Sequence, residues 1–137
     1  MKGFQVHPIT SGAVAGFMQN GDDLTDSGSP PLVQKWLTNS SINGLPALGL
    51  NFRPVEDNTG TTPVNVLVAQ KGAVYYVAVF NYDITKPFST TIDLGRAGLN
   101  SSTTYTVMDL WTGTTSSATG SLPVNLGAAE STILKLQ

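Results

Sequence analysis

Few groups in this chain could carry out chemistry, and the carboxylates lead them. Cysteine is absent and His7 is the lone histidine. Without thiols there is no disulfide, thiolate nucleophile or zinc–thiolate site, and a single imidazole makes a poor metal site. Asp22 and Asp23 are adjacent. Neighbouring side chains on a strand point to opposite faces, so the two flank one bond only if a turn redirects them. The pair reads better as a turn whose carboxylates accept local amide hydrogens. Glu56-Asp57 lies between Pro54 and Asn58-Thr59-Gly60, a loop by composition, where charges are solvated. Asp83 follows Asn81-Tyr82 and is expected to accept from backbone amides in a strand-end turn. Asp93 alternates away from Ile92, toward water. Asp109 precedes Leu110-Trp111 and is expected to be partly buried beside the indole, where it needs hydrogen bonds or a charge partner; Arg53 and Arg96 are the candidate partners. No Gly-x-Ser-x-Gly elbow and no glycine-rich phosphate-binding fingerprint occurs. The residues thus imply a chain with no catalytic set, no metal and no cofactor. A small enzyme built on Asp22 and Asp23 is the alternative that their spacing disfavours.

The elements that would position these groups are mostly strands. Val74-Tyr75-Tyr76-Val77-Ala78-Val79-Phe80-Asn81 is a β-branched and aromatic run too apolar to face water on either side, so it belongs at the centre of a sheet. Burial of each large side chain there is worth about 1.5–3 kcal/mol. Val64 to Ala69 is joined to it by Gln70-Lys71-Gly72-Ala73, a short hairpin loop. Phe88, Thr90, Ile92 and Leu94 share one strand face, and Gly95 to Asn100 forms a turn or a single helical turn. Tyr105 to Leu110, the alternating Leu122, Val124 and Leu126, and the alternating Thr132, Leu134 and Leu136 with Ile133 opposite complete the set. Short strands at this spacing imply an all-β fold: an antiparallel β-sandwich of Greek-key type.

The N-terminal region differs. Ser29-Pro30-Pro31 signals a helix start, and Leu32, Val33, Trp36 and Leu37 follow at helical spacing, with a stop near Asn39 or Asn43-Gly44. Ser11 to Met18 fits a buried strand or a small-residue helix equally, and Gly21-Asp22-Asp23-Leu24 reads as a turn. The division expected is a short helical or irregular segment over residues 1–50 and the sandwich over residues 51–137.

Composition narrows the function classes. The chain has 137 residues, enough for one ordinary domain, of which 12% are charged and 40% apolar. Low charge with abundant Thr, Ser, Asn and Gly fits a turn-rich β protein of an extracellular or periplasmic setting, although the N-terminus lacks the apolar core of a signal peptide. Net charge is −2 and the basic residues are scattered, against the basic footprint that nucleic acid requires. No apolar run reaches the length of a membrane span. Asn39-Ser40-Ser41 and Asn100-Ser101-Ser102 match the glycosylation acceptor pattern, as chance allows in a Ser-rich chain. Exposed aromatics are the usual sugar platforms on a sandwich, and Tyr75, Tyr82, Trp36 and Trp111 are the ones available. Packing is the simpler reading of Trp36, and Tyr75 and Tyr76 must point to opposite faces.

Four motifs, in order, point to a family. Gly21-Asp22-Asp23-Leu24, then Leu32-Val33-Gln34-Lys35-Trp36-Leu37-Thr38-Asn39, then Phe80-Asn81, then Asp109-Leu110-Trp111-Thr112-Gly113 together resemble the C-terminal part of melibiase-like retaining α-galactosidases and α-N-acetylgalactosaminidases. The resemblance runs over roughly residues 11 to 137. It implies the end of a (β/α)8 barrel, then a C-terminal antiparallel β domain. Ser41-Ile42-Asn43-Gly44-Leu45-Pro46 departs from the family's Ile-Asn-Gln-Asp-like segment, with only Ile42-Asn43 echoing it. A whole barrel needs about 250 residues, so at most its final strand and helix fit here. The family's nucleophile and acid/base Asp lie on earlier barrel strands; the resemblance therefore implies a non-catalytic fragment, and Asp22 and Asp23 match a structural turn. The implied partner is the catalytic barrel of a parent glycoside hydrolase. Surface left uncovered by a missing barrel would be open to a homo-oligomer, and an autonomous carbohydrate-binding module is the alternative function.

Overall fold

The computed structural model describes residues 39–55 and 64–137. The expected helix with Trp36, the Asp22-Asp23 turn, His7, the Ser11–Met18 segment and Glu56-Asp57 lie outside the described residues.

The described chain opens on a helical turn, α1 (Ser40–Asn43), followed by a 3-10 turn over Leu45–Leu48. Asn39 caps α1: its Oδ1 accepts from Ile42 N at 3.1 Å, satisfying one of the amides that a helix start leaves without a partner. Eight strands follow. They are β1 (Arg53–Pro54), β2 (Val66–Lys71), β3 (Val74–Phe80), β4 (Phe88–Asp93), β5 (Thr104–Asp109), β6 (Thr115–Thr119), β7 (Ser121–Leu126) and β8 (Ser131–Leu136). Six form one antiparallel sheet in the order β1-β2-β3-β8-β5-β6, and β4 pairs with β7 across its inner face. This is the antiparallel sandwich that the strand pattern predicts.

β3 lies between β2 and β8, as its composition requires. Its alternation feeds two cores. Val77 and Val79 point into the space between the sheets, where they meet Ile92, Leu122 and Leu136. Tyr76, Ala78 and Phe80 point the other way, into a second cluster with Ile42, Leu45, Leu110, Trp111 and Ile133. The large sheet is therefore buried on both faces, with the small sheet over one and the α1–3-10 segment packed on the other. β8 repeats the device: Leu134 and Leu136 face inward and Ile133 outward.

Two turns decide the connections. The β2–β3 hairpin is tighter than the sequence suggests, because β2 continues through Lys71 to pair with Val74. That leaves Gly72-Ala73 as the loop, and Gly72 takes φ +61, a sign that glycine adopts without a Cβ penalty. Between β6 and β7 the chain leaves one sheet for the other across Gly120 alone, at φ +71, while its carbonyl accepts from Leu94 N at 3.0 Å. β1 and β6 are the strands that the sequence pattern does not mark. The Thr-Ser-Ser-Ala-Thr run of β6 buries only Ala118, as an edge strand can.

Candidate functional site

The Phe80-Asn81 and Asp109–Gly113 motifs meet at one end of the sandwich. β3 and β5 both run toward this end and β8 starts from it, with Phe80 opposite Ser131 and Leu110 N donating to Ile133 O at 3.0 Å. Asn81 is buried, and both its amide nitrogen and its amide oxygen are hydrogen-bonded. Its Nδ2 donates to Lys86 O at 2.7 Å and to Gly127 O at 2.8 Å, and its Oδ1 accepts from Asp83 N at 3.0 Å. One side chain thus ties the β3–β4 connection to the β7–β8 connection. Asp83 is the backbone acceptor expected of it. Its Oδ1 takes hydrogens from Thr85 N at 2.8 Å, Thr85 Oγ1 at 2.8 Å and Lys86 N at 3.0 Å.

The Thr85 amide and hydroxyl, with the Lys86 amide, hold the Asp83 carboxyl below its ordinary value of 3.8. A depressed carboxylate stabilises the folded loop above the unfolded-state value, and the contribution is lost as pH falls through the lower folded value. Acid titration by NMR should therefore show the Thr85 and Lys86 amide protons moving with an inflection below 3.8. An inflection at or above that value contradicts the hydrogen-bond assignment.

Asp109 is half-buried beside Trp111, as predicted, but an arginine does not neutralise it. Its Oδ1 accepts from Trp111 N at 2.8 Å and Thr112 N at 3.3 Å, and its Oδ2 from Thr132 Oγ1 at 3.2 Å. Backbone amides and a hydroxyl supply what a distant guanidinium was expected to give, because the strand-end turn already converges on the carboxylate. Arg53 instead donates to Ala97 O at 2.9 Å. Asp93 faces water and accepts from Arg96 N at 3.1 Å. Each of these three aspartates organises its own turn.

The aromatics fare unevenly as sugar platforms. Trp111 is 5% exposed, so its ring is core and not an open stacking face; an indole gains more from burial than any local preference opposes. Tyr75 is half-buried edge-on against Tyr105, with centroids 6.1 Å apart at 81°, and its hydroxyl meets Gln70 Nε2 at 3.1 Å. Tyr82 is 43% exposed. Its ring stacks on Phe80 at 5.8 Å and 9°, its hydroxyl donates to Val64 O at 3.1 Å, and burial pushes that hydroxyl above its ordinary pKa. Trp36 lies outside the described residues. Tyr75, Tyr82 and Trp111 therefore do not converge on a common site: Tyr75 faces the inner core, Trp111 the outer one, and Tyr82 sits on a loop.

A groove does form between the sheets. Its volume is about 300 Å³, and Val107, Asp109, Ser116, Leu122, Asn125, Glu130 and Thr132 are among its walls. Glu130 lies on the β7–β8 connection, where its Oε2 accepts from Gly127 N at 2.8 Å. The sequence reading misses Glu130 and Asn125. A lone acid before a strand, and a polar position in an alternating one, give no signal until the sheets are stacked. No group of three His, Cys, Asp or Glu able to hold a metal occurs among the described residues. No described helix is long and apolar enough to cross a membrane.

Residues 60–136 match the family model for the alpha-galactosidase C-terminal beta sandwich domain, which is more than half of the chain. The chain belongs to the α-galactosidase C-terminal β-sandwich family. A search of curated protein sequences found no match. Solved structures share the fold of this family member. A Bacillus halodurans C-125 protein designated an α-N-acetylgalactosaminidase superposes with a TM-score of 0.70 at 21% identity, covering 98% of this chain and 30% of its own. α-Galactosidase I from Mortierella vinacea gives 0.70 at 12% identity, covering 98% of this chain and 34% of its own. A β-L-arabinopyranosidase from Geobacillus stearothermophilus gives 0.61 at 20% identity, covering 80% and 24%. The sandwich chain thus spans about a third or less of the length of each.

Proposed function

We propose that this chain serves as the non-catalytic C-terminal β domain of an α-galactosidase-like glycoside hydrolase, and that it stabilises the catalytic barrel by covering apolar surface. The observation that carries the reading is the family match over residues 60–136, read with what the carboxylates do. Retaining chemistry needs two carboxyl groups about 5–5.5 Å apart across the sugar, one acting as acid and the other as nucleophile. Asp83, Asp93 and Asp109 are each occupied as acceptors for turn amides. Asp109 and Glu130 do line one groove. Yet Asp109 accepts on both oxygens and Glu130 closes its own turn on Gly127, which is how structural carboxylates behave.

In this reading residues 1–50 form the end of the barrel and residues 51–137 the sandwich. The packing of Ile42 and Leu45 against Phe80 and Trp111 supports a junction that is apolar and tight, on the outer face of the large sheet. An apolar interdomain interface of this kind couples the stabilities of its two halves. In the complete gene product, deleting residues 51–137 should lower the thermal midpoint and the soluble yield of the barrel. An unchanged midpoint for the isolated barrel would refute the stabilising role.

A further inference from the structure

We propose that β6 is an open pairing edge through which two copies of this chain join, β6 against β6, in an antiparallel, two-fold arrangement. β6 ends the large sheet, with β5 on its one paired side. The ladder shows which backbone groups are left over. Thr106 exchanges both of its main-chain bonds with Gln137, at 2.8 and 3.1 Å, so it faces away from β6. Hydrogen-bonded and non-hydrogen-bonded positions alternate along an antiparallel pair. Val107 and Tyr105 therefore bond to Ser116 and Ala118, while Ser117, opposite Thr106, turns its N–H and C=O outward. The same alternation points the main-chain groups of Thr115 and Thr119 outward. No other described strand pairs with β6, and all three residues are exposed.

Sheet edges are normally guarded against such pairing by short length, charged side chains or proline. The other edges carry these devices: β1 is only Arg53–Pro54, β4 ends in Asp93 and β7 contains Pro123. β6 carries neither charge nor proline, and its register against β5 runs without a bulge. No charged residue occurs from Leu110 to Ala129, so no like-charge repulsion opposes self-pairing. The edge also matches itself, which selects a second copy as its occupant. Thr115, Ser117 and Thr119 read the same in both directions. A two-fold axis at Ser117 sets it opposite Ser117 of the second copy, and Thr115 opposite Thr119. All three outward positions then meet as hydrogen-bonded pairs, each exchanging both main-chain bonds. Thr and Ser side chains facing one another add bonds across the ladder. No β6 residue belongs to the apolar cluster of Ile42, Leu45 and Trp111, so the inference stands apart from the barrel junction.

Sedimentation equilibrium of the whole chain from about 10 μM to about 1 mM tests this, a range suited to the weak affinity of a short ladder. The average mass should rise toward twice the monomer value. Over the same range, hydrogen exchange should slow at the amides of Thr115, Ser117 and Thr119, with Ser116 and Ala118 as references already bonded to β5. Ser117→Lys sets two like charges face to face at the axis. It should weaken association about tenfold and leave the fold intact, because the side chain is exposed. Ser89→Lys, at an exposed position on β4, should leave association unchanged. A chain that stays monomeric at the top of the range would overturn the proposal. So would a dimer that Ser117→Lys leaves intact, one that Ser89→Lys weakens equally, or one whose new protection falls on Trp111 and Ile133 instead of β6. None of these results bears on the barrel-stabilising role.

Discussion

Trp111→Ala should cost about 3–5 kcal/mol of folding stability, the scale of a deleted buried aromatic. Trp111 is 5% exposed and packs on the outer face of the large sheet with Phe80, Leu110, Ile133 and Ile42. The backbone around it is also tied down. Its amide donates to Asp109 at 2.8 Å, and Asn39 Nδ2 reaches Leu110 O at 3.0 Å and Trp111 O at 3.3 Å. Those bonds hold the walls apart, so removal of the indole leaves a cavity that the site cannot collapse to fill. Urea denaturation should show a lower midpoint at an unchanged slope, the signature of lost stability in an intact fold. Tyr82→Ala serves as the control on an exposed ring and should cost well under half as much. A loss below about 1 kcal/mol for Trp111→Ala would show that the outer face is not a core in its own right.

Asn81→Leu should cost about 2–4 kcal/mol although it adds apolar surface to a buried site. The substitution removes two donated bonds, at 2.7 and 2.8 Å, and one accepted bond, at 3.0 Å. Lys86 O, Gly127 O and Asp83 N then face an aliphatic side chain; a buried polar group left unpaired costs about 1–3 kcal/mol, and less at the exposed Lys86 and Asp83, where water replaces the lost bond. Asn81→Asp sharpens the comparison. It keeps the shape but turns an acceptor-only carboxylate toward two carbonyl oxygens. Burial and repulsion raise the folded-state pKa of that new carboxyl, so the deficit should be largest at neutral pH and shrink as acid restores a donor. Chemical denaturation of both variants at pH 7 and at pH 4 reads the difference. An Asn81→Asp protein as stable as the parent at neutral pH would contradict the assigned bonds.

The strands were legible where both faces of an element face apolar neighbours or where one does so alternately. β3, β4, β7 and β8 follow directly from Val74–Phe80, Phe88–Asp93, Leu122–Val124–Leu126 and Leu134–Leu136. β6 was not legible, since Thr and Ser on an edge strand carry neither period nor burial. Asp109 shows the limit for polar groups. Proximity to Trp111 was readable, but the partners come from Thr132 on another strand and from amides of its own turn. The groove was unreadable for the same reason: Asp109, Asn125 and Glu130 are brought together only by sheet stacking. Exposure of the aromatics was not legible, because a Tyr or Trp near a strand end looks alike in sequence whether it is packed, as Trp111 is, or 43% exposed, as Tyr82 is.

The most direct test of the central assignment is release of nitrophenol from a nitrophenyl α-galactoside by the purified chain, alongside its Asp109→Asn and Glu130→Gln variants. Rates equal to buffer for all three proteins are the expected result. Turnover by the parent chain that vanishes in either variant would contradict it, because it would place a working pair of acids in the inter-sheet groove.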